Sequence, residues 1–376
     1  MKNDCVEMTL THLGAHMAPV SFYLDSDKPV QPYYISPWQD ENLTFGSGRS
    51  ERILRGDFFC MPFGVDRIPY KNETHPGHGE TASSLWSLVG GVEDAEVKTL
   101  TIEMKTKARP GRVERAYSLV KGENVVYDCT TIHEFEGPIT WAHHAVMRCD
   151  VEERGLLIST SPLEFGMVYP YAFGDPAAGE YQALEIGAEF KSLSSAPSIF
   201  KHQPDEDCSS YPARCGFSDL LQLANRRDNS TPAWTVAVNT VGGFLWFSLK
   251  DICTLPSTLV WMENHGRYGE PWNGRNCALG LEDACTWFDR GIGESSRENT
   301  FSERGIKTHH LLEGTSVEVR YIQGVVKTPQ GFGRVVDAEF TGSSVSFLDA
   351  AGRRATAAVQ CGYLHGDSLR YRVYRK

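Results

Sequence analysis

The 376-residue sequence has no CxxC pair, no apolar run near the roughly 18 residues of a membrane span, and no self-similarity at a period of roughly 20–50 residues. Each absence excludes something. Without CxxC spacing, the ten cysteines offer no zinc-ribbon or thioredoxin-type site. Without a repeat, solenoids and propellers lose their signature. No strand–helix alternation runs along the chain, which argues against a Rossmann fold or a TIM barrel. Positive charge is also short. The 37 Lys and Arg face 48 Asp and Glu, a formal net charge of −11, the wrong sign for a general nucleic-acid binder. The first thirty residues carry Asp4, Glu7, Asp25 and Asp27 and lack the basic start and apolar run of a secretory signal. A cytoplasmic protein with reduced, mostly buried thiols is expected, with no nucleic-acid or membrane partner.

What is abundant points to short strands and turns: 18 Phe, 15 Tyr, 8 Trp and 35 Gly. Alternation in Lys98–Lys105, Trp234–Asn239, Gly243–Leu249, Ser316–Gln323 and Ser343–Leu348 describes strands with one wet and one buried face. Turn clusters at Lys121–Asn124 and Ala350–Arg353 separate paired runs, as hairpins require. Helical signals are few, and the best is Phe217–Asn225, apolar at 217, 220, 221 and 224 with Ser218 as an N-cap candidate. Ser192–Ser210 reads as a long loop or insertion. The expected fold is all-β and mainly antiparallel: one large β-sandwich domain over residues 1–376, with a few short helices.

Four segments concentrate residues that a plain β-core does not select. Arg55-Gly56-Asp57 leads into Phe58–Gly64, an arginine in an aromatic stretch whose fork of donors suits paired hydroxyls or a structural carboxylate. His75-Pro76-Gly77-His78-Gly79-Glu80 precedes Trp86, and His75, His78 and Glu80 are potential metal ligands at no standard spacing. Ile139–Met147 holds His143 and His144, which a strand sends to opposite faces; Ala142 and Val146 share the face of His144. Finally, Trp261–Trp272 leads into Ala278-Leu279-Gly280-Leu281-Glu282-Asp283, a carboxylate beside small residues.

In order, these segments resemble the aldose 1-epimerase, or galactose mutarotase-like, superfamily. Arg55-Gly56 through Pro62-Phe63-Gly64 is similar to the Arg-Gly-Gly…Pro…Phe-Gly segment of its hexose-phosphate epimerase branch. His78-Gly79 with Trp86 is similar to its His-Gly…Trp motif. Trp141-Ala142-His143-His144-Ala145 resembles its second histidine segment and selects His144 over His143. Leu255-Pro256, Trp261, Gly269, Pro271, Gly274 and Leu279-Gly280-Leu281-Glu282 resemble the approach to its catalytic glutamate. Asp57, Ala145 and Asp283 depart from the usual pattern, and the family's sugar-binding aspartate has no clear counterpart.

The resemblance implies a galactose mutarotase-like supersandwich that interconverts the α and β anomers of an aldose or sugar phosphate. It implies Glu282 as base, His144 as acid, and Arg55, His78, Trp141 and Trp261 as substrate-binding residues, with no metal or other cofactor. On this reading Glu282 is ionised and His144 partly protonated near neutrality, giving a bell-shaped pH–rate curve. Two competing expectations stand beside it. One is a glycoside hydrolase or lyase drawing a second carboxylate from Glu263, Glu270 or Asp283. The other is a sugar-binding protein without turnover. The particular sugar and the oligomeric state are not encoded in any motif.

Overall fold

The computed structural model describes residues 1–44, 49–149, 154–226 and 231–370. Two large antiparallel sheets dominate it. The seven-stranded sheet runs Glu189–Phe190, Leu163–Val168, Phe217–Asn225, Ser257–Asn264, Cys277–Cys285, Trp141–Arg148 and Phe59–Cys60. The nine-stranded sheet runs Ser210–Tyr211, Leu156–Thr160, Ala233–Asn239, Phe244–Lys250, Val317–Lys327, Val125–His133, Gly111–Val120, Val97–Thr106 and Ser87–Glu93. Four of the alternating runs fall on strands of the nine-stranded sheet, and Ser343–Leu348 falls on Ser344–Asp349 of a separate three-stranded sheet; the turns at Lys121–Asn124 and Ala350–Arg353 close hairpins.

Side chains from the two inner faces meet directly. Tyr321 of the nine-stranded sheet donates to Asp283 of the seven-stranded sheet (2.7 Å), and Lys250 Nζ reaches the same carboxylate (2.6 Å). Around this polar centre lies a large apolar cluster that includes Trp141, Met147, Leu221, Val260, Leu281 and Trp246. The other face of the seven-stranded sheet is covered by loops carrying Trp38, Phe58, Phe63, Trp272 and Phe288. A functional cleft can therefore form on that covered face, outside the sandwich core. Seven of the ten cysteines are buried, as thiols packed like small apolar groups should be. Among the described residues, no helix is long and apolar enough to cross a membrane.

Two sequence expectations are corrected. Phe217–Asn225 is a central strand. Eight of its nine residues are buried, so apolar residues occupy both faces and the period-two signal is lost. Its polar residues are bonded within the fold: Asp219 accepts from the Ala183 and Leu184 N–H groups, and Gln222 donates to Ser257 and Thr286. Within Ser192–Ser210 the strands Ala196–Phe200 and Gln203–Glu206 form a hairpin. Helices are short, at Gly291–Ser295 and Thr300–Glu303, as expected.

Candidate active site

Strand pairing alone brings the histidine and glutamate together. Trp141–Arg148 lies antiparallel to Cys277–Cys285 with His144 opposite Glu282, and both side chains take the loop-covered face. His144 Nε2 stands 3.3 Å from Glu282 Oε1. Gly280 makes room for this carboxylate: a Cβ there would lie 2.6 Å from Glu282 Oε1 and 3.0 Å from the Trp261 Cβ. The imidazole plane is also fixed. Phe58 stacks on His144 at 4.5 Å and on the buried His16 at 3.8 Å, forming a three-ring pile. The His144 N–H donates to the Phe58 carbonyl (2.9 Å).

Above the pair opens a cleft of about 270 Å³, near the lower end of ligand-site volumes (~300–1,000 Å³). His78 enters from the loop at Gly77–Gly79, its ring 5.1 Å from that of His144. It takes a left-handed backbone conformation, φ 60°, and its N–H donates to Gly64 O (2.8 Å). Trp261 lines the opposite wall with a buried Nε1–H that has no hydrogen-bond partner. Arg267 stands among Phe173, Trp261 and Trp272 at 4.9, 5.6 and 5.2 Å from the ring centres. Its nearest carboxylate, on Glu263, is 3.7 Å away. Arg67, Glu51 and Asp289 complete the charged lining.

Burial sets the charge state of the pair. Desolvation holds Glu282 well above the usual carboxylate range, and Asp289 nearby adds to the effect. Desolvation, followed by the charges of His78 and His16, holds His144 well below the usual imidazole range. His78 is also lowered, chiefly by burial. Burial thus biases both groups toward their uncharged forms. This bias runs against the ionised glutamate and partly protonated histidine that the resemblance implies. A dry pair avoids separated charge unless a ligand supplies donors to the carboxylate.

Glu282, His144, His78 and Trp261 line one cleft; Arg55 and Trp141 do not join them. Arg55 hydrogen-bonds Gln39 and is not among the cleft-lining residues. Trp141 faces the sandwich interior, where its Nε1–H donates to Thr254 O (3.0 Å) and its ring stacks on His310 at 4.1 Å. The Trp141 assignment is thus corrected by strand parity, since 141 and 143 share one face and 144 takes the other. The residues His75, His78 and Glu80 are not gathered into a metal site: His75 pairs with Glu73, and Glu80 accepts from the Lys107 and Ala108 N–H groups. Among the described residues, only Asp57, Asp128 and His143 lie close enough to share a cation. Arg115 already supplies positive charge there, bonding Asp128 and lying 3.7 Å from Asp57. Of the proposed second carboxylates, Glu263 accepts from the Gly266 and Arg267 N–H groups, Asp283 lies in the core, and Glu270 is exposed. Asp289, Phe63 and Phe173 reach the cleft from irregular loops, where no periodic pattern could announce their direction.

No family model and no curated protein sequence matches the chain. Solved structures do. A galactose mutarotase related enzyme from Lactobacillus acidophilus is similar at 11% identity and TM-score 0.53, over 86% of this chain and 96% of the other. A galactose mutarotase-like protein from Clostridium acetobutylicum is similar at 10% identity and TM-score 0.54, over 86% and 92%. A TPR-domain containing protein from Parabacteroides distasonis also matches, at 9% identity and TM-score 0.52, over 87% of this chain and 46% of the other. The same architecture thus occurs in proteins described in different terms, so the likeness carries fold and not chemistry. The chain has the galactose mutarotase-like, all-β fold.

Proposed function

We propose that the cleft binds a single aldose or sugar phosphate and interconverts its α and β anomers. The observation that carries this reading is the buried His144–Glu282 pair, 3.3 Å apart in the lining of a cleft of about 270 Å³. Sugar hydroxyls donating to Glu282 stabilise its carboxylate, and the proton passes to His144. Glu282 then takes the proton from the C1 hydroxyl while His144 protonates the ring oxygen. The C1–O5 bond breaks, the electron pair of the O1–H bond becomes the aldehyde π bond, and rotation about C1–C2 exposes the other carbonyl face. Reclosure reverses both proton transfers and restores the pair. His78 and Trp261 bind hydroxyls and the apolar sugar face. Arg267, whose guanidinium has Glu263 as its only carboxylate within 4 Å among the described residues (3.7 Å), is placed for a phosphate or other anionic substituent.

The experiment is NMR of pure anomers of common hexoses and hexose 6-phosphates mixed with the protein. Accelerated exchange that falls about 10²–10⁴-fold in Glu282→Gln is expected. Exchange equal to the buffer rate for every sugar and phosphate ends this reading. Preference for phosphates that disappears in Arg267→Gln identifies that side chain as the anion contact.

A further inference from the structure

Asp289 is the cleft carboxylate that the proposed proton transfers do not use. The chain leaves the strand Cys277–Cys285 and turns sharply. Phe288 takes a left-handed conformation (φ 43°), rare and costly for an aromatic residue. Three hydrogen bonds hold the turn: Thr286 Oγ1 to Phe288 O (2.8 Å), the Trp287 N–H to Ser295 Oγ (3.0 Å) and the Phe288 N–H to Gln222 Oε1 (2.7 Å). The next residue is pinned as well. The Asp289 carbonyl accepts from the Val65 N–H (2.8 Å), and Gly64 lies so close that a Cβ there would stand 2.3 Å from the Asp289 carbonyl carbon. Gly64 also receives the His78 N–H, so one loop sets the positions of both Asp289 and His78.

This rigid turn delivers an acceptor with nothing to accept from. Asp289 lines the cleft with Glu282, His78 and Arg267. Its Oδ1 is enclosed and has no hydrogen-bond partner among the described residues. The neighbouring Tyr169 hydroxyl accepts from Arg290 Nη1 (3.1 Å) and is raised by burial and by the charge of Asp289. Strained backbone that aims an unsatisfied polar atom into a cleft is a mark of ligand contact. Asp289 also acts electrostatically on both Glu282 and His78, which places it near the reacting centre.

We propose that Asp289 is a specificity-determining residue whose Oδ1 accepts a hydrogen bond from one ring hydroxyl of the sugar held between His144 and Glu282. This inference rests on the sugar reading and adds the contact that selects among sugars. A hydroxyl is the fitting partner: it presents the donor that Oδ1 lacks and leaves its own oxygen available to a neighbouring donor such as Arg267.

The test compares the wild type with Asp289→Ala and Asp289→Asn on glucose, galactose, their 6-phosphates and their 2-, 3-, 4- and 6-deoxy derivatives. NMR measures anomer exchange, and calorimetry measures affinity. Asp289→Ala should lower kcat/KM for a parent sugar about 10–100-fold, the scale of a hydrogen bond to a charged group, mainly through KM. One deoxy sugar should be an equally poor substrate for wild type and variant, because the hydroxyl that Asp289 meets is already missing. Equal losses on every deoxy sugar, or no loss on any, overturn the proposal. Should the alanine variant fail to fold, the asparagine variant decides by the same pattern. Sugars that bind without exchange, with the same pattern in Kd, support Asp289 and overturn the mutarotase reading. A wild type that neither binds nor converts any of these sugars overturns both. Release of reducing ends from a glycoside that stops in both variants assigns Asp289 to bond cleavage and also overturns the hydroxyl-contact role.

Discussion

His143 and His144 are consecutive in one strand, and Asp283 and Glu282 are their register partners in the next. The two faces of this strand pair hold the same kinds of residue in opposite chemical settings. On the interior face Asp283 accepts from Lys250 Nζ (2.6 Å), Ser248 Oγ (2.6 Å), Tyr321 Oη (2.7 Å) and Thr258 Oγ1 (2.7 Å). Burial alone raises Asp283, but Lys250 and the hydroxyl donors overturn that and hold it below the usual carboxylate range. His143 is likewise occupied, with Nδ1 3.0 Å from Asp57 and its ring stacked on Tyr321 at 3.9 Å. On the cleft face Glu282 is equally buried and has His144 as its close polar neighbour, and it is raised. Burial therefore does not decide the state of an acid; the donors supplied to it do. Donors saturate Asp283 as structure, whereas Glu282 retains polar capacity for a ligand.

The contrast can be broken most severely from the inside. Lys250→Met strands the Asp283 charge in the core and should cost about 3–5 kcal/mol in urea unfolding. The double variant Lys250→Met/Asp283→Leu should recover most of that loss. A single variant as stable as wild type would show that the interior network is not what holds these strands. Gly280→Ala, whose Cβ would meet Glu282 Oε1 at 2.6 Å, should displace the cleft acid and slow anomer exchange roughly 10–100-fold. Its stability should change much less than that of Lys250→Met.

Stability against pH sharpens the comparison further. Glu282 is raised in the folded state, so stability falls as pH climbs above the ordinary carboxylate range, until the folded acid also ionises. Glu282→Gln removes that cost and should gain stability relative to wild type on going from acid to neutral pH. Asp283 is lowered, so its contribution is complete above the ordinary range and is lost as pH drops through the folded value. The penalty of Asp283→Asn should accordingly grow as pH rises through the acid range. Urea melts from about pH 2 to 7, spanning both sides of the ordinary carboxylate value, read both slopes; slopes of one sign would erase the distinction between the faces. In kcat/KM, the acid limb should lie below the ordinary imidazole range and the basic limb above the ordinary carboxylate range. An acid limb at the ordinary imidazole value would mean that His144 is hydrated in solution. The smallest effect belongs to Trp141→Phe: about 1 kcal/mol from the lost Thr254 bond, with unchanged anomer exchange. A large loss of exchange at unchanged stability would return Trp141 to the site.

Much of this contrast was legible in one dimension. Alternation located most strands, and parity separated His144, with Ala142 and Val146, from His143. The same parity assigns Trp141 to the interior, against its place in the motif. Phe217–Asn225 escaped because a strand buried on both faces loses its period. Arg55 escaped because a long side chain beside a turn has no face dictated by alternation; it turned to Gln39, and Arg267 occupies the cleft instead.

The sequence by itself determined the β architecture and the opposed placement of neighbouring side chains, because strand geometry repeats every two residues and needs only local pattern. Tertiary structure decided which acid is surrounded by donors, which arginine lines the cleft, and that Asp289 reaches the cleft at all. Those outcomes depend on water excluded and donors delivered by segments far apart in the chain, such as Lys250 to Asp283 and Gly64 to Asp289.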